Sequence, residues 1–272
     1  MTKVQKQSLH FDSLGDKHKK FEQIAESQLI DDVPLIARLD GRAFHTVTKK
    51  LNKPFDENFI KVMSTTAIEL LKQFNAMVAY VQSDEITLIW DKPQHFNGRV
   101  QKLTSCLASY ATSVFITNIM HDTILKEKIN VLYPSFDSRI WQVPSLEVAA
   151  ENLLWREMDA SRNSINMMAH TYFSKSKTHG LSTKNRLQLL FEHGYDWNSL
   201  SSTLKRGSFF AKKSVMKLLS DEELQNIPVH HRPEGPVERN EIVCINVDVP
   251  LTRIINRVDF LFYGAEPQLL KT

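Results

Sequence analysis

Asp40, Asp84 and Glu85 are the residues whose types and spacing suit chemistry on phosphates. Asp40 ends the apolar run LIARLD (35–40), and Asp84 follows it by 44 residues in VQSDEITLIW (81–90). Carboxylates brought together from neighbouring strands repel, which raises their pKa values, and a divalent cation removes the conflict. Mg²⁺ takes hard oxygen ligands and keeps substrate phosphates in its shell. Two such ions about 4 Å apart activate an attacking hydroxyl and stabilise the leaving oxygen of a phosphoryl transfer. This is the chemistry of polymerase palms. Taken singly, Asp-Gly and Ser-Asp-Glu are ordinary turn signals. Their meaning depends on the elements that carry them.

Those elements read as follows. An amphipathic helix over 11–27 carries Leu14, Phe21 and Ile24 among Lys and Glu. Pro34 opens the strand LIARLD, which Asp40-Gly41 ends with turn chemistry. Residues 56–74 repeat apolar positions at helical spacing, with Asp56 as N-cap. MVAYVQ (77–82) and EITLIW (85–90) form a hairpin around Ser83-Asp84. A helix over 98–120, a strand over 136–143 and a long helix from Ser145 to Phe173 follow. The order βαββαβ predicts an α+β fold, a ferredoxin-like palm with an antiparallel sheet packed by helices. Such a sheet sets its first strand beside the central hairpin, so Asp40 and Asp84, with Glu85, converge at one edge.

Residues 1–175 are thus expected to form the palm-like core and 176–272 a helical C-terminal region. That region holds a short helix within 179–197, a basic turn LKRGSFFAKK (204–213), a Pro- and His-rich loop over 226–236 and a strand over 241–249. His230, His231 and Arg232 lack a second ligand pair at zinc spacing.

Bulk composition agrees with a folded enzyme. Hydrophobic residues make up 42% and charged residues 24%, enough for a core and too apolar for a disordered chain. Only 8 glycines occur, which argues against a repeat architecture. A net charge of +3 makes the chain mildly basic, so RNA contact would rest on local clusters, not on the total. Cys106 and Cys244 form no CxxC pair and are expected as reduced thiols. MTKVQKQSLHFDSLGDKHKK lacks the apolar core of a signal peptide, and no run suggests a membrane span, so a cytoplasmic protein without membrane contact is expected.

Five segments in consistent order, LDGRAFH (39–45), LNKPFD (51–56), YVQSDE (80–85), WREMDASRNS (155–164) and LKRGS (204–208), resemble the tRNA-histidine guanylyltransferase family, closest to its bacterial and archaeal guanylyltransferase-like branch. The resemblance covers 11–213. It implies a palm enzyme that adds nucleotides to the 5′ end of tRNA in the 3′-to-5′ direction. The 5′ end is first activated by ATP or carried as a triphosphate, and the 3′-hydroxyl of an incoming nucleotide, GTP above all, then attacks with two Mg²⁺ ions. A homotetramer is expected on the same ground.

By resemblance, Asp40 and Asp84 are metal ligands with the Gly41 carbonyl, and Glu85 is their acidic partner. Arg38, Arg42, Ala43, Phe44 and His45 flank the first motif, where nucleotide and triphosphate bind. Ser83 contacts nucleotide, and Lys53 and Lys102 stand near triphosphate. The absence of any GxxxxGK[ST] segment gives lysines and arginines that work. In the long helix, Trp155, Asp159, Arg162 and Asn166 share a face, with Asn163 at its edge and Leu154, Met158, Ile165 and Met168 on a more apolar side. The family places substrate contacts here: Asp159 and Asn163 for nucleotide, Trp155 and Arg156 for RNA. Lys205 and Arg206, near Lys212, Lys213, Phe209 and Phe210, complete an expected RNA surface.

One departure affects specificity. Enzymes dedicated to tRNA-histidine carry His-Ile-Asn-Asn where this chain has Ser161-Arg162-Asn163-Ser164. That favours Watson–Crick-templated repair of truncated 5′ ends over selection of tRNA-histidine. Two rivals share the carboxylates: a nucleotidyl cyclase-like palm acting on free nucleotides, which leaves WREMDASRNS and LKRGS unexplained, and a non-catalytic RNA-binding module with a decayed palm.

Overall fold

The computed structural model describes residues 3–245 and 248–271, with the side chains of 3–12 excepted. Its centre is one antiparallel sheet. After helix α1 (Lys3–Ile24), strand β1 (Leu35–Gly41) leads through the single turn α2 (Phe44–Val47) to α3 (Glu57–Gln73). Strands β2 (Val78–Gln82) and β3 (Glu85–Trp90) form the hairpin, and α4 (Val100–His121) and the short α5 (Leu125–Lys128) lead to β4 (Phe136–Gln142). The long α6 (Leu146–Tyr172) crosses the opposite face, followed by α7 (Lys175–Thr178), α8 (Thr183–Glu192) and α9 (Ser202–Arg206). Strand β5 (Ser208–Lys217), α10 (Asp221–Gln225), β6 (Val237–Ile245) and α11 (Arg257–Tyr263) complete the chain.

The strand order is β4-β1-β3-β2-β5-β6. Its first four members are the expected ferredoxin-like arrangement. Strands β5 and β6, both beyond residue 175, extend the same sheet from the β2 edge. The segment LKRGSFFAKK is therefore not a basic turn. It is the end of α9 running into β5, where Phe209 and Phe210 alternate between the two faces of the sheet. The late strand begins earlier than its alternation predicts, at Val237, and residues 246 and 247 of the expected 241–249 run lie outside the described residues.

Each face of the sheet has its own core. Leu35, Ala37, Leu39, Ile86 and Leu88 pack with α3 and α4 on one side. Ile36, Val78, Tyr80 and Ile89 meet Ala149, Ala150 and Leu153 of α6 and Phe260 and Leu261 of α11 on the other. A third small core joins the far half of α6 to α8 through Ile165, Met168, Ala169 and Leu190. By length and composition α4 is the one described helix able to cross a bilayer, contrary to the sequence reading. In the fold its Leu103, Leu107, Ala111, Phe115 and Ile119 stripe is buried in the first core.

Candidate active site

Strand register brings the two aspartates together. Asp40 of β1 stands opposite Glu85 of β3, and one step on the Gly41 amide donates to the Asp84 carbonyl at 3.1 Å. Only two residues, Ser83 and Asp84, turn the hairpin between the paired Gln82 and Glu85. Ser83 takes the left-handed conformation such a turn requires, with φ 50°. Gly41 is fixed by packing: a Cβ there would meet the Phe44 ring at 2.5 Å.

The Asp84 carboxyl is raised above the ordinary carboxylate range, first by burial and then by the charge of Asp40. Neither aspartate has a cation within ion-pair distance among the described residues. Glu85 differs. Its two oxygens accept from Arg156 Nε and Nη2, both at 2.7 Å, and Arg38 Nε lies 4.0 Å away. Burial raises Glu85 too, and the Arg156 hydrogen bonds oppose that rise. Each of its oxygens is bonded to the Arg156 guanidinium, so Glu85 braces the hairpin against α6.

Alternation adds two residues that the sequence reading passed over. Asp137 and Arg139 of β4 stand directly opposite Asp40 and Arg38. The edge of the sheet is thus a row of acids, Asp137, Asp40 and Glu85, backed by the arginine pair Arg139 and Arg38. Like charges directly opposite on neighbouring strands are destabilising. Asp137 turns to Arg139 at 3.6 Å, which relieves part of this. A polyanion over the two arginines would relieve the repulsion between them, whereas the repulsion between Asp40 and its acidic neighbours calls for a cation. The signal was available: FDSRIWQ alternates, and Asp137 and Arg139 take the positions opposite Phe136 and Ile140 of the core side.

A cleft of about 240 Å³ opens beside the hairpin turn. Lys53, Ser83, Asp84, Asn163 and Lys205, to which the resemblance gives metal, nucleotide and RNA contacts, line it together. Asp56 holds the loop that carries Lys53, accepting from the amides of Asn52 at 3.0 Å and Phe59 at 3.1 Å. Arg42, Ala43 and His45 are exposed in the tight turn after β1, and Ala43 is left-handed at φ 55°.

Other expected residues are placed elsewhere. Phe44 is buried among Phe59, Phe115 and Phe136, where an aromatic ring seals the core beneath Gly41. Lys102 sits at the start of α4 over the Phe96 ring. That helix start hangs on the Gln28 and Ser27 backbone, at the Trp90 end of β3 and away from Asp84. Antiparallel geometry puts the first turn of α4 at the wrong end of the sheet.

The long helix does not divide into the polar and apolar faces its sequence suggests. Trp155 and Met158 are exposed, whereas Arg156 and Glu157 are buried. Asp159 is occupied by Arg156 at 3.2 Å, by Arg162 and by Asn163 at 3.2 Å. Arg206 is buried against Glu157 and donates to the Asp248 carbonyl at 2.8 Å. Glu157 also accepts from the Leu251 amide at 2.9 Å, and burial pushes its carboxyl up to about 7. Lys205 donates to the Asn198 carbonyl at 2.7 Å and lies over Trp197. Of the four expected RNA contacts, Arg156 and Arg206 are interior bracing. Trp155, stacked on the Arg156 guanidinium at 4.5 Å, keeps an open face.

Comparison with known proteins identifies the family and the fold. A sequence model of tRNAHis guanylyltransferase matches residues 15–144. The tRNA(His) guanylyltransferase of Debaryomyces hansenii is 30% identical, covering 72% of this chain and 78% of its own. The chain belongs to the tRNAHis guanylyltransferase family. A bacterial tRNA(His) guanylyltransferase-like protein solved in complex with ATP is 32% identical, with a TM-score of 0.68 over 74% of this chain and 89% of that one. Another, solved in complex with GTP, is 27% identical, with a TM-score of 0.67 over 88% and 94%. Membership makes this chain a nucleotidyltransferase, and the family fold is the α+β sheet described above.

Proposed function

We propose that this family member is a Mg²⁺-dependent tRNA nucleotidyltransferase that extends tRNA 5′ ends in the 3′-to-5′ direction, with GTP and ATP as substrates. Its task is templated repair of truncated 5′ ends. The observation that carries the reading is Asp40 and Asp84, juxtaposed by the β1–β3 register without a cationic partner among the described residues, with Asp84 lining a cleft that also holds Lys53, Ser83 and Asn163. The ATP and GTP complexes of the bacterial relatives support both substrates.

The donor set fits magnesium. Two hard carboxylates and the Gly41 carbonyl are available, and Asp84 is a buried carboxyl raised partly by its neighbour's charge. Among the described residues no group of three or more His, Cys, Asp or Glu is arranged to hold an ion, so waters and substrate phosphates would complete the shell, as Mg²⁺ prefers. When bound, the ion supplies charge stabilisation at the phosphoryl oxygens and lowers the pKa of the attacking hydroxyl. The chain's own residues do the rest. Arg38 and Arg139 stand side by side on neighbouring strands, Arg139 half exposed and Arg38 largely covered, a paired cation suited to polyphosphate. Lys53 and Ser83 approach from the cleft. The Glu85–Arg156 pair keeps the turn that bears Asp84 from drifting.

The replacement of His-Ile-Asn-Asn by Ser161-Arg162-Asn163-Ser164 supports templated repair over selection of tRNAHis. The unpaired Cys106 and Cys244 suit the cytoplasm. The test combines purified protein, Mg²⁺, four NTPs and a labelled tRNA transcript lacking its first nucleotide, with Asp84→Ala as control. Growth by one nucleotide complementary to the opposite base, lost in the variant, is expected. Folded protein that extends neither 5′-monophosphate nor 5′-triphosphate RNA would refute the reading.

A further inference from the structure

The four residues expected to hold RNA leave a gap, because Arg156 and Arg206 are spent on buried carboxylates. The compensating cations lie beyond the cleft. Ala160, Asn163, Ser164 and Met167 of α6 line the cleft, and the helix then continues to Tyr172. At 1.5 Å per residue, Tyr172 stands about 14 Å past Asn163. There α6 ends in a helical knob formed with α7 and α8 around the third core.

From residue 160 to 191 the chain contains no Asp or Glu and five Lys or Arg, and Glu192, which closes α8, accepts from Gln188 at 2.9 Å. Two of the five arginines and lysines are structural. Arg162 pairs with Asp159, and Arg186 ties α8 to Asn166 at 2.6 Å and to the Thr178 carbonyl at 3.3 Å. The other three, Lys175, Lys177 and Lys184, are exposed; Lys177 donates to His193 Nε2 at 2.9 Å, and none of the three is paired with an acid among the described residues. They fall within ten consecutive residues, on α7 and the first turn of α8, whose placement the Arg186 bridge fixes. Aromatic surface adjoins them. Tyr172 and Tyr195 are stacked at 3.8 Å, and Lys177 lies over the Phe173 ring at 4.8 Å. Fixed cations on a rigid element, without interspersed acids and beside aromatic rings, are the footprint of nucleic-acid contact.

We infer that this knob is a docking surface for the phosphate backbone of an RNA stem whose 5′ end occupies the cleft. The inference rests on the RNA-extending reading above. Backbone contacts position and carry little sequence information, which suits repair of many tRNAs. The knob sets where the stem lies, and the cleft handles the terminal nucleotide.

The test is a triple variant, Lys175→Ala, Lys177→Ala and Lys184→Ala. Binding of an unmodified tRNA transcript is measured by fluorescence anisotropy between 50 and 200 mM KCl, and binding of GTP is measured in parallel. Each phosphate contact contributes about 0.9 to the slope of log affinity against log salt. Three lost contacts therefore lower the slope by about 2.7, and the advantage of wild type over variant shrinks roughly 40-fold across that salt range. GTP affinity stays at the wild-type level. An unchanged tRNA slope and affinity in the variant would overturn the inference, as would equal loss of tRNA and GTP binding. Wild-type protein that binds GTP but no tRNA would instead overturn the functional reading beneath it.

Discussion

Replacing Arg156 by methionine removes the partner that contacts both oxygens of Glu85, while Glu85 remains in a site where it is 8% exposed. Breaking one side of a buried ion pair costs about 3–5 kcal/mol, because the remaining charge is left without compensation. Two features moderate the loss. Arg38 stays 4.0 Å away, and Glu85 already has a raised pKa, so it can escape by taking a proton. We expect about 3 kcal/mol for Arg156→Met at neutral pH. Glu85→Met strands Arg156 in the same way, although Asp159 at 3.2 Å partly rescues it, and should cost somewhat less. The double variant should lose far less than the sum, since an apolar pair of similar volume often replaces a buried ion pair at little cost. Urea unfolding of the four proteins gives the cycle, and a coupling of about 1–3 kcal/mol is expected for groups in direct contact. Additive losses, or single variants within about 0.5 kcal/mol of wild type, would refute the claim that this pair braces the hairpin. The same variants should lose nucleotide addition at temperatures well below their unfolding transitions, because Asp84 sits next to Glu85 in a two-residue turn.

Three further outcomes follow from the geometry. Glu157 has a folded pKa of about 7 against a reference of 4.5, so the folded state holds its proton more tightly; the stability this contributes is full below pH 4.5 and is lost as pH rises through 7. The loss amounts to about 3 kcal/mol at most, and Glu157→Gln should flatten urea midpoints measured between pH 5 and pH 8. Gly41→Ala forces a Cβ to 2.5 Å from the Phe44 ring, and unfolding measurements should register a loss of about 1–3 kcal/mol together with lost activity. Arg139→Ala should raise KM for nucleotide more than it lowers kcat; loss of its 3.6 Å pair with half-exposed Asp137 is offset by relief of its like-charged neighbour Arg38, so stability changes little, and an unchanged KM would count against a phosphate role.

Local pattern along the chain sets the palm elements and the pair of aspartates. Apolar alternation in LIARLD, MVAYVQ and EITLIW, and helical spacing over 56–74, are local properties, and Asp56 caps its helix as its position predicts. The βαββαβ order constrains strand neighbours strongly enough to bring Asp40 beside the Ser83-Asp84 turn before any coordinates exist. Strand β5 was hidden because RGSFFAKK mixes turn chemistry, aromatic core and charge, and its identity as a strand depends on the free edge of β2. The roles of single side chains were decided by tertiary packing. Arg156, Glu157 and Arg206 look like surface charges in one dimension, yet α6 crosses from sheet to cleft to knob, each segment buries a different side of it, and Arg206 arrives from α9 against Glu157. Lys102 shows the same limit, since strand and helix direction, not motif order, decide which end of the sheet a residue reaches. Charge and periodicity are read along the chain, whereas burial and pairing are set by what arrives from elsewhere.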